Sequence, residues 1–379
     1  MKRFLPYLVC FAAAFLLFRL AIPHMLMLQE TFALFLCTPD WLRDTFTSPW
    51  PLTHIVANML LQFFHYSWGG PLVLSLLVTF IVWLCTLPFR KRRQTMAAWC
   101  TTFALLVIGT YLLCTGHIQA RERLCKVEYA TLHYDWQTIL HTATPEAVSE
   151  DRTLLPYALL ALTETGALAD RMFTYPIESI DDFFPKSWYS CSQLLFGSML
   201  YERMGSLNEA IHLTMQAGDA LPHGTSFGIL RRLATLNRLQ GNDTLADKYL
   251  YLLGKSTLHA SHPQGAYPRN NAAHTFDAEQ GTQKSSQAPV VHDEWFYNVT
   301  AMLSDGASSP TLLHRSLCGM LARRDLERFV QLWNTIPHAE GETVPTHYRE
   351  ALLLADPSTK EQAKGRYTQY YLKARKTAP

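Results

Sequence analysis

Acidic and histidine side chains within residues 23–70 are the first candidates for chemistry: Glu30, Asp40, Asp44, His54 and His65. Carboxylates and imidazoles act as general acids and bases, and both bind metal ions. At a membrane surface they would suit an enzyme acting on lipid-linked or envelope glycans. Their spacing matches no diagnostic motif, so this enzyme remains an alternative hypothesis.

The remaining chemical groups favour structural roles. Four histidines within residues 259–292 have irregular spacing, and no cysteine or acidic cluster accompanies them: His259, His262, His274 and His292. The Asp181-Asp182 pair lies in an aromatic segment typical of a connecting loop. The chain contains no GxGxxG, GxxxxGK[ST], HExxH or GxSxG motif. We therefore predict no catalytic residue, cofactor or metal, and we do not expect an enzyme.

Three apolar runs must position anything placed near residues 23–70: Phe4–Ile22, Pro71–Leu87 and Met96–Cys114. They hold 19, 17 and 19 residues, close to the length that crosses a bilayer as a helix. The first run begins like a signal peptide but is longer than the usual apolar core, which favours an uncleaved anchor. The sequence predicts about three transmembrane helices in a domain spanning residues 1–120.

Four adjacent cations predict the orientation of these helices: Arg90, Lys91, Arg92 and Arg93. Short loops rich in Lys and Arg stay on the cytoplasmic side. The basic loop is therefore expected inside, and both the outer loop 23–70 and the chain after Cys114 outside. This arrangement predicts a multi-pass membrane protein whose C-terminal domain lies on the side opposite to the cytoplasm.

Two features of the membrane part allow alternatives. Arg19 either reaches the lipid headgroups or pairs inside the membrane with Glu30 or Asp40. Residues Thr53–Trp68 have helical spacing but no Lys or Arg, so they match a lipid-surface helix poorly. We expect this segment to pack on the spans or to be partly re-entrant, and a fourth crossing is the alternative.

Charge and cysteine content narrow the class of protein. Residues 1–120 carry a net charge of +5 and residues 121–379 a net charge of −3. No basic block interleaved with aromatic residues occurs in the second part, which argues against nucleic acid as a partner. The eight cysteines form no CxxC motif, and one disulfide remains an open alternative.

The second part contains helical hairpins with tetratricopeptide-like spacing. In Leu194–Pro222 the repeat-defining residues are Tyr201, Gly205, Ala210, Ala217 and Pro222. In Phe227–Leu253 they are Ala234, Gly241 and Ala246. Glycine permits the tight turn between antiparallel helices, and alanine lets the helices approach closely. Weaker copies occur at Thr153–Thr174, turning at Gly166, and at Arg121–Thr142.

The predicted fold is all-α, with transmembrane helices followed by a tetratricopeptide-like repeat domain. We place repeats at 121–258, a flexible linker or loop at 259–292, and a helical segment that continues or caps the array at 293–379. Helical periodicity within this last segment covers Glu294–Ser304, Thr311–Thr335 and Thr346–Ala355.

Four phrases support a resemblance to a family: QETFALFLCTPDWL at 29–42, ANMLLQFFHY at 57–66, YDWQTIL at 134–140 and VPTHYREALLL at 344–354. The chain resembles uncharacterised Bacteroides-type inner-membrane proteins with several spans and a tetratricopeptide-like C-terminal domain. The resemblance implies helical repeats and a location in a bacterial inner membrane. With the orientation predicted above, the C-terminal domain is then expected in the periplasm. The resemblance implies no activity.

Together these features predict a membrane-anchored scaffold whose partners are the lipid bilayer and an unknown protein or peptide. Helical repeats offer extended surfaces for such binding. The alternatives are the glycan enzyme described above and an accessory subunit of an envelope transport or assembly complex. A transporter is disfavoured because no paired polar residues line the three apolar runs.

Overall fold

The structure is a computed structural model, and it describes residues 4–89, 91–184, 190–258, 286, 288, 290, 295–306, 309–336 and 343–377. All regular secondary structure within these ranges is helical, and no strand occurs in them, which confirms the all-α class. The expected linker 259–292 lies almost entirely outside the described residues, including its four histidines.

The described helices, numbered in chain order, have the following bounds: α1 Leu5–Ala21, α2 Pro23–Phe32, α3 Pro39–Thr47, α4 Pro51–Leu61, α5 Gly69–Thr86, α6 Lys91–Leu113, α7 Gly116–Leu132, α8 Trp136–Thr142, α9 Pro145–Glu150, α10 Leu155–Glu164, α11 Leu168–Arg171, α12 Cys191–Met204, α13 Leu207–Asp219, α14 Phe227–Leu239, α15 Asp243–Leu253, α16 Trp295–Ser304, α17 Pro310–Arg323, α18 Leu326–Thr335, α19 Thr346–Ala355 and α20 Arg366–Thr377. Short 3-10 turns follow α4 at Gln62–His65 and precede α20 at Lys360–Gln362.

The chain divides into two compact units. The first unit contains residues 1–129 and 215–268, and the second contains residues 130–214 and 269–379. The region 121–258, which the sequence predicts as one repeat domain, is thus shared between the units. The physical reason lies in the first unit, where residues 30–42 pack against α14 and α15.

Helices α1, α5 and α6 form a bundle in the first unit. Tyr7 of α1 shares a hydrogen bond of 2.7 Å with Thr86 of α5. Two described helices are long and apolar enough to cross a membrane, Gly69–Thr86 and Arg93–Leu113. Counting α1 and α2 together as one broken span raises the number to three. The structure thus contains two candidate spans, or three if the bent pair is one span, where the sequence predicts about three.

The first predicted span, Phe4–Ile22, differs in the structure. Its helix α1 has 17 residues, and α2 leaves it at an angle of 80°. Pro23 lacks the amide hydrogen that would continue the α1 hydrogen-bond ladder, and Ile22 adopts a non-helical conformation. Helix α2 then packs against α14. The apolar sequence after Ile22 therefore serves protein packing.

The second unit consists of short helices around a buried apolar core. Helix α12 begins at a capping box in which Ser190 and Gln193 each bind the other's backbone amide. The predicted helical stretch Thr311–Thr335 is two helices, because Arg324 adopts a left-handed conformation with φ 63°. Helix α19 has the predicted bounds Thr346–Ala355.

Candidate functional site

An extended segment of the first unit, residues 33–38, connects α2 to α3 and is called the strap. Its backbone is fastened at both ends: Phe227 N donates to Ala33 O at 2.9 Å, and Cys37 N donates to Lys255 O at 2.8 Å. The buried cluster around it contains Ala33, Leu34, Phe35, Leu36, Trp41, Phe227, Leu230 and Leu253. The α14–α15 hairpin is therefore fixed to the segment that follows the first apolar run.

A buried ion pair reinforces this attachment. Arg231 on α14 donates from Nη1 to Glu30 Oε1 at 2.9 Å and from Nη2 to Oε2 at 2.6 Å. The side chains of Glu30 and Arg231 are 3% and 8% exposed, so both charges are shielded from water. Paired, two-bond geometry of this kind is directional and fixes the relative register of two helices. Arg231 is thus a positioning residue that the sequence reading missed.

Close backbone approach accompanies the ion pair. A Cβ added to Gly228 at the start of α14 would lie 2.7 Å from the carbonyl oxygen of Thr31, and closer still to the Thr31 methyl group. Glycine is therefore required where α14 meets the end of α2. The sequence offers one sign of this contact, since two arginines interrupt the apolar stretch FGILRRLATL at 227–236.

The other end of α2 is capped by a carboxylate from α7. Glu122 accepts from the backbone amides of His24 and Met25, both at 2.9 Å, and contacts His24 Nδ1 at 2.7 Å. These amides belong to the first helical turn, which lacks internal acceptors and carries partial positive charge. Glu122 thereby ties the chain that follows α6 to the bend that follows α1.

The C-terminal part of the outer loop 23–70 contacts the segment that follows α15, as Cys37 of the strap does. The side-chain oxygen of Gln62, Oε1, accepts from Thr257 Oγ1 at 2.9 Å and from Leu258 N at 3.3 Å. Cys37 and Gln62 therefore both contact residues 255–258, so they lie on one side of any membrane that this unit crosses. Helix α4, with 11 residues, is also too short to span. The fourth-crossing alternative for Thr53–Trp68 is not supported by this geometry.

The candidate acid, base and metal-binding side chains of residues 23–70 are dispersed. Glu30 is held by Arg231, and Asp44 contacts His223 Nδ1 at 3.1 Å. Asp40, His54 and His65 are exposed at three separate places on α3, α4 and the following turn. No group of three potential metal ligands occurs among the residues that the structure describes. Glu30 therefore has a cationic partner other than Arg19.

The first tetratricopeptide-like hairpin contains the predicted residues in these places. Gly205 caps α12 with φ 91°, and Ala210 and Ala217 on α13 are fully buried. Tyr201 lies one turn before the end of α12, where burial raises the pKa of its hydroxyl. Pro222 is exposed three residues after α13 ends. In the second unit, Ser198 and Thr214 share a hydrogen bond of 2.8 Å.

The second hairpin, α14–α15, turns at Gly241 with φ 84°. Ala234 on α14 is 2% exposed and Ala246 on α15 is fully buried. The two helices pack closely along their length. The second hairpin therefore has buried alanines at the predicted helix positions and a left-handed glycine at the predicted turn.

In the described part of the chain, five turns between consecutive helices share one geometry, and two of these turns contain no glycine at the left-handed position. The left-handed residues are Tyr134, Gly166, Gly205, Gly241 and Arg324. In each turn this residue's amide bonds the carbonyl three residues back, and the next amide bonds the carbonyl five residues back, for example Asp325 N to Met320 O at 3.0 Å. This pair of bonds defines the Schellman motif. The turn at Arg324 was missed because a left-handed non-glycine residue carries no clear sequence signal.

Three of the four residues predicted to determine the orientation, Lys91, Arg92 and Arg93, lie at the start of α6. Arg90 is outside the described residues, and the backbones of Lys91 and Arg92 begin α6. Arg93 is exposed. The first turn of α6 lies at the end of the bundle opposite to the contacts with residues 255–258, because α5 and α6 both run between these two ends.

The second unit contains a buried polar centre. Glu164 forms an ion pair of 2.5 Å with Arg203 and accepts from Thr311 Oγ1 at 2.8 Å. Arg315 is fully buried, and its Nη2 donates to Phe183 O at 2.5 Å. Burial lowers the pKa of the Arg315 guanidinium to about 10. These contacts tie α10, α12 and α17 together, which is a structural role.

A buried thiol lies beside this centre. Cys318 Sγ is 3.4 Å from the hydroxyl of Tyr348, which is 3.3 Å from His314 Nδ1. Burial raises the pKa of the Cys318 thiol to about 12, and it also raises the pKa of Tyr348. A thiol that stays protonated at neutral pH is a poor nucleophile. All eight cysteines lie among the described residues, and no disulfide joins any of them there.

Fold and site together define an all-α protein in which two or three helices could span a membrane and a helical hairpin is fixed to their connecting loop. A family model described as a family of unknown function (DUF6057) matches residues 1–121 and 113–376. The chain therefore belongs to this family. No curated protein and no solved structure matches the chain.

Proposed function

We propose that this protein is a membrane-anchored scaffold whose tetratricopeptide-like hairpins bind a protein or peptide partner at the bacterial cell envelope. The observation that carries the proposal is the attachment of α14–α15 to the strap. A hairpin held by two backbone hydrogen bonds, a buried ion pair and a shared apolar cluster is presented at a fixed place relative to the bundle.

The repeated turn geometry supports binding rather than catalysis. Stacked helical hairpins expose extended surfaces that suit peptide or protein ligands. On α15, three large apolar side chains remain exposed: Leu245, Tyr251 and Leu252. Such side chains on one short helix provide a natural contact for a partner.

The proposed topology places the hairpins in the periplasm of an inner-membrane protein. Residues 33–62 and 255–258 contact each other, so the chain between them must cross the membrane an even number of times. Helices α5 and α6 provide two crossings. The basic residues at 90–93 then assign the opposite side to the cytoplasm.

Disulfide trapping in cells tests both the attachment and the side. The substitution Lys255→Cys introduces a thiol beside native Cys37, whose backbone amide donates to the carbonyl of residue 255 at 2.8 Å. Two residues joined in this way are close enough for a disulfide, which needs Cα atoms about 4.4–6.8 Å apart. We expect spontaneous oxidation in the oxidising periplasm. Lys248→Cys, exposed on the preceding helix α15, is the control and should not pair with Cys37.

The outcomes separate the parts of the proposal. A disulfide that forms only after an oxidant is added to broken cells would support the attachment and contradict the periplasmic location. Failure to form it under both conditions would contradict the attachment itself.

Partner capture requires the full chain, because removing residues 1–120 would uncover the face of α14 and α15 that packs on the strap. A photo-crosslinking amino acid at Tyr251 should yield discrete protein adducts in intact cells. The same amino acid at Tyr111, which is exposed on the membrane bundle, is the control. Absence of any adduct specific to Tyr251 and a second position, Leu245, would argue strongly against the scaffold.

A further inference from the structure

Helix α4 exposes an apolar stripe that the packing of the first unit leaves uncovered. Leu52, Val56 and Met59 are 68%, 51% and 40% exposed. At about 100° per residue these three side chains project within about 60° of one another. None of the residues of α4 is fully buried. Exposed apolar side chains that share one face of a helix indicate a contact with another protein or with a membrane.

The inner side of the same helix is already occupied. Ile55 and Leu61 pack against the strap cluster, and Leu60 and Leu61 also pack against the cluster that contains Ile22 and Leu26. This packing explains why α4 contains no Lys or Arg. A free lipid-surface helix needs a charged face toward water, whereas the inner face of α4 meets protein.

The position of α4 along the bundle is set by the second of these clusters. Its members include Phe18 from the last turn of α1, Val73 from the first turns of α5 and Leu113, the last residue of α6. The C-terminal end of α4 therefore lies at the level where the candidate spans end. In the proposed membrane location, the ends of the spans lie at the boundary between lipid and water.

Composition and aromatic side chains are consistent with that level. Residues 45–89, a run of 45 residues through α4 and α5, contain no Asp, Glu, Lys or Arg. Trp50 and Trp68 flank the helix and are 79% and 49% exposed, and Tyr66 stacks on Trp68 at 5.5 Å. Tryptophan and tyrosine concentrate at membrane interfaces.

We infer that α4 is a non-spanning interfacial helix whose Leu52–Val56–Met59 stripe is inserted among the lipids around the bundle. The occupant of the stripe is the bilayer, because the exposed apolar surface of α4 continues in the chain into that of α5, where Leu77 and Phe80 are also exposed. This inference rests on the membrane location in the proposed function. It adds a second mode of attachment, which restrains the strap and the α14–α15 hairpin close to the membrane surface.

Spin-label accessibility in the full-length protein, reconstituted in phosphatidylglycerol–phosphatidylethanolamine vesicles, tests the inference. Labels are attached to single cysteines at Leu52→Cys, Val56→Cys and Met59→Cys, in a variant whose native cysteines are replaced by alanine. Oxygen concentrates in lipid, and a charged nickel chelate concentrates in water. We expect the ratio of oxygen to nickel accessibility to be several-fold higher at the stripe than at Lys248→Cys, which is exposed on α15.

Labels at Leu77→Cys and Phe80→Cys in α5 distinguish the failure of this inference from the failure of the membrane proposal. High nickel accessibility at the stripe, with α5 in lipid, would overturn only the inference. Low accessibility to both reagents at the stripe would also overturn it, since a second copy or another protein would then cover α4. High nickel accessibility at α5 would overturn the membrane location as well.

Discussion

The substitution Gly228→Ala tests whether the contact between α2 and α14 holds the first unit together. Its new Cβ would lie 2.7 Å from the Thr31 carbonyl oxygen, whereas ordinary contacts begin at 3.4 Å, so the two helices must separate by about 0.7 Å. Overpacking of this kind costs about 1–3 kcal/mol. Alanine returns up to about 1 kcal/mol of helix propensity, less in a first turn.

The net effect is a loss of about 1–2 kcal/mol, which corresponds to an opening equilibrium about 5–30-fold more favourable. A cysteine at Ala33, a buried strap residue bonded to Phe227 N, reports this opening. In the variant with native cysteines removed, the rate of maleimide labelling at Ala33→Cys should rise by that factor when Gly228→Ala is added.

Gly116→Ala is the matched control, because Gly116 begins α7 and an added Cβ would meet nothing within 4 Å. It should leave the labelling rate unchanged. If Gly228→Ala labels no faster than the control, α2 and α14 are not in close contact and the attachment of the hairpin through this contact is refuted.

Three further predictions concern the second unit. Gly205→Ala should lower the thermal unfolding midpoint, since a left-handed backbone costs residues other than glycine about 1–2 kcal/mol. Arg324→Gly should change the midpoint little, because the relief of backbone strain offsets the loss of the contact between Arg324 and the Tyr370 ring. Burial lowers the pKa of His347 below the unfolded value near 6.5, because the buried imidazole resists protonation. The contribution of neutral His347 to stability is therefore present above pH 6.5 and is lost as the pH falls below it. His347→Gln should flatten the pH dependence of urea unfolding below pH 6.5. Cys318 should react with Ellman's reagent at pH 8 only after unfolding, whereas exposed Cys37 should react at once.

Local features of the fold could be read from the sequence because short-range chemistry determines them. Glycine at 205 and 241 marks hairpin turns, since it enters the left-handed region at low cost. The helix at Thr346–Ala355 follows from its periodicity and the preceding Pro345. Arg324 occupies the same backbone region without glycine, and the turn that interrupts Thr311–Thr335 was therefore missed.

Long-range features could not be read from periodicity. The Glu30–Arg231 pair joins residues 201 positions apart, and each charge alone resembles an ordinary polar residue. The dispersion of Asp40, His54 and His65 is equally a property of the folded chain. Spacing predicts which helix face a residue occupies, but it does not identify the residue on the facing helix.

The compositional boundary near residue 120 is not a boundary between folding units. Phe227, Leu230 and Leu253 lie in one buried cluster with strap residues from before that boundary, and Arg231 neutralises Glu30 there. A fragment beginning at residue 121 would expose this apolar face and leave Arg231 without its carboxylate. Such a fragment should therefore aggregate or bind non-specifically, and any partner it captures would need to be found again with the full chain. In the proposed scaffold, the same contacts would make one hairpin part of the unit that contains the candidate spans, with no flexible tether between the hairpin and the bundle.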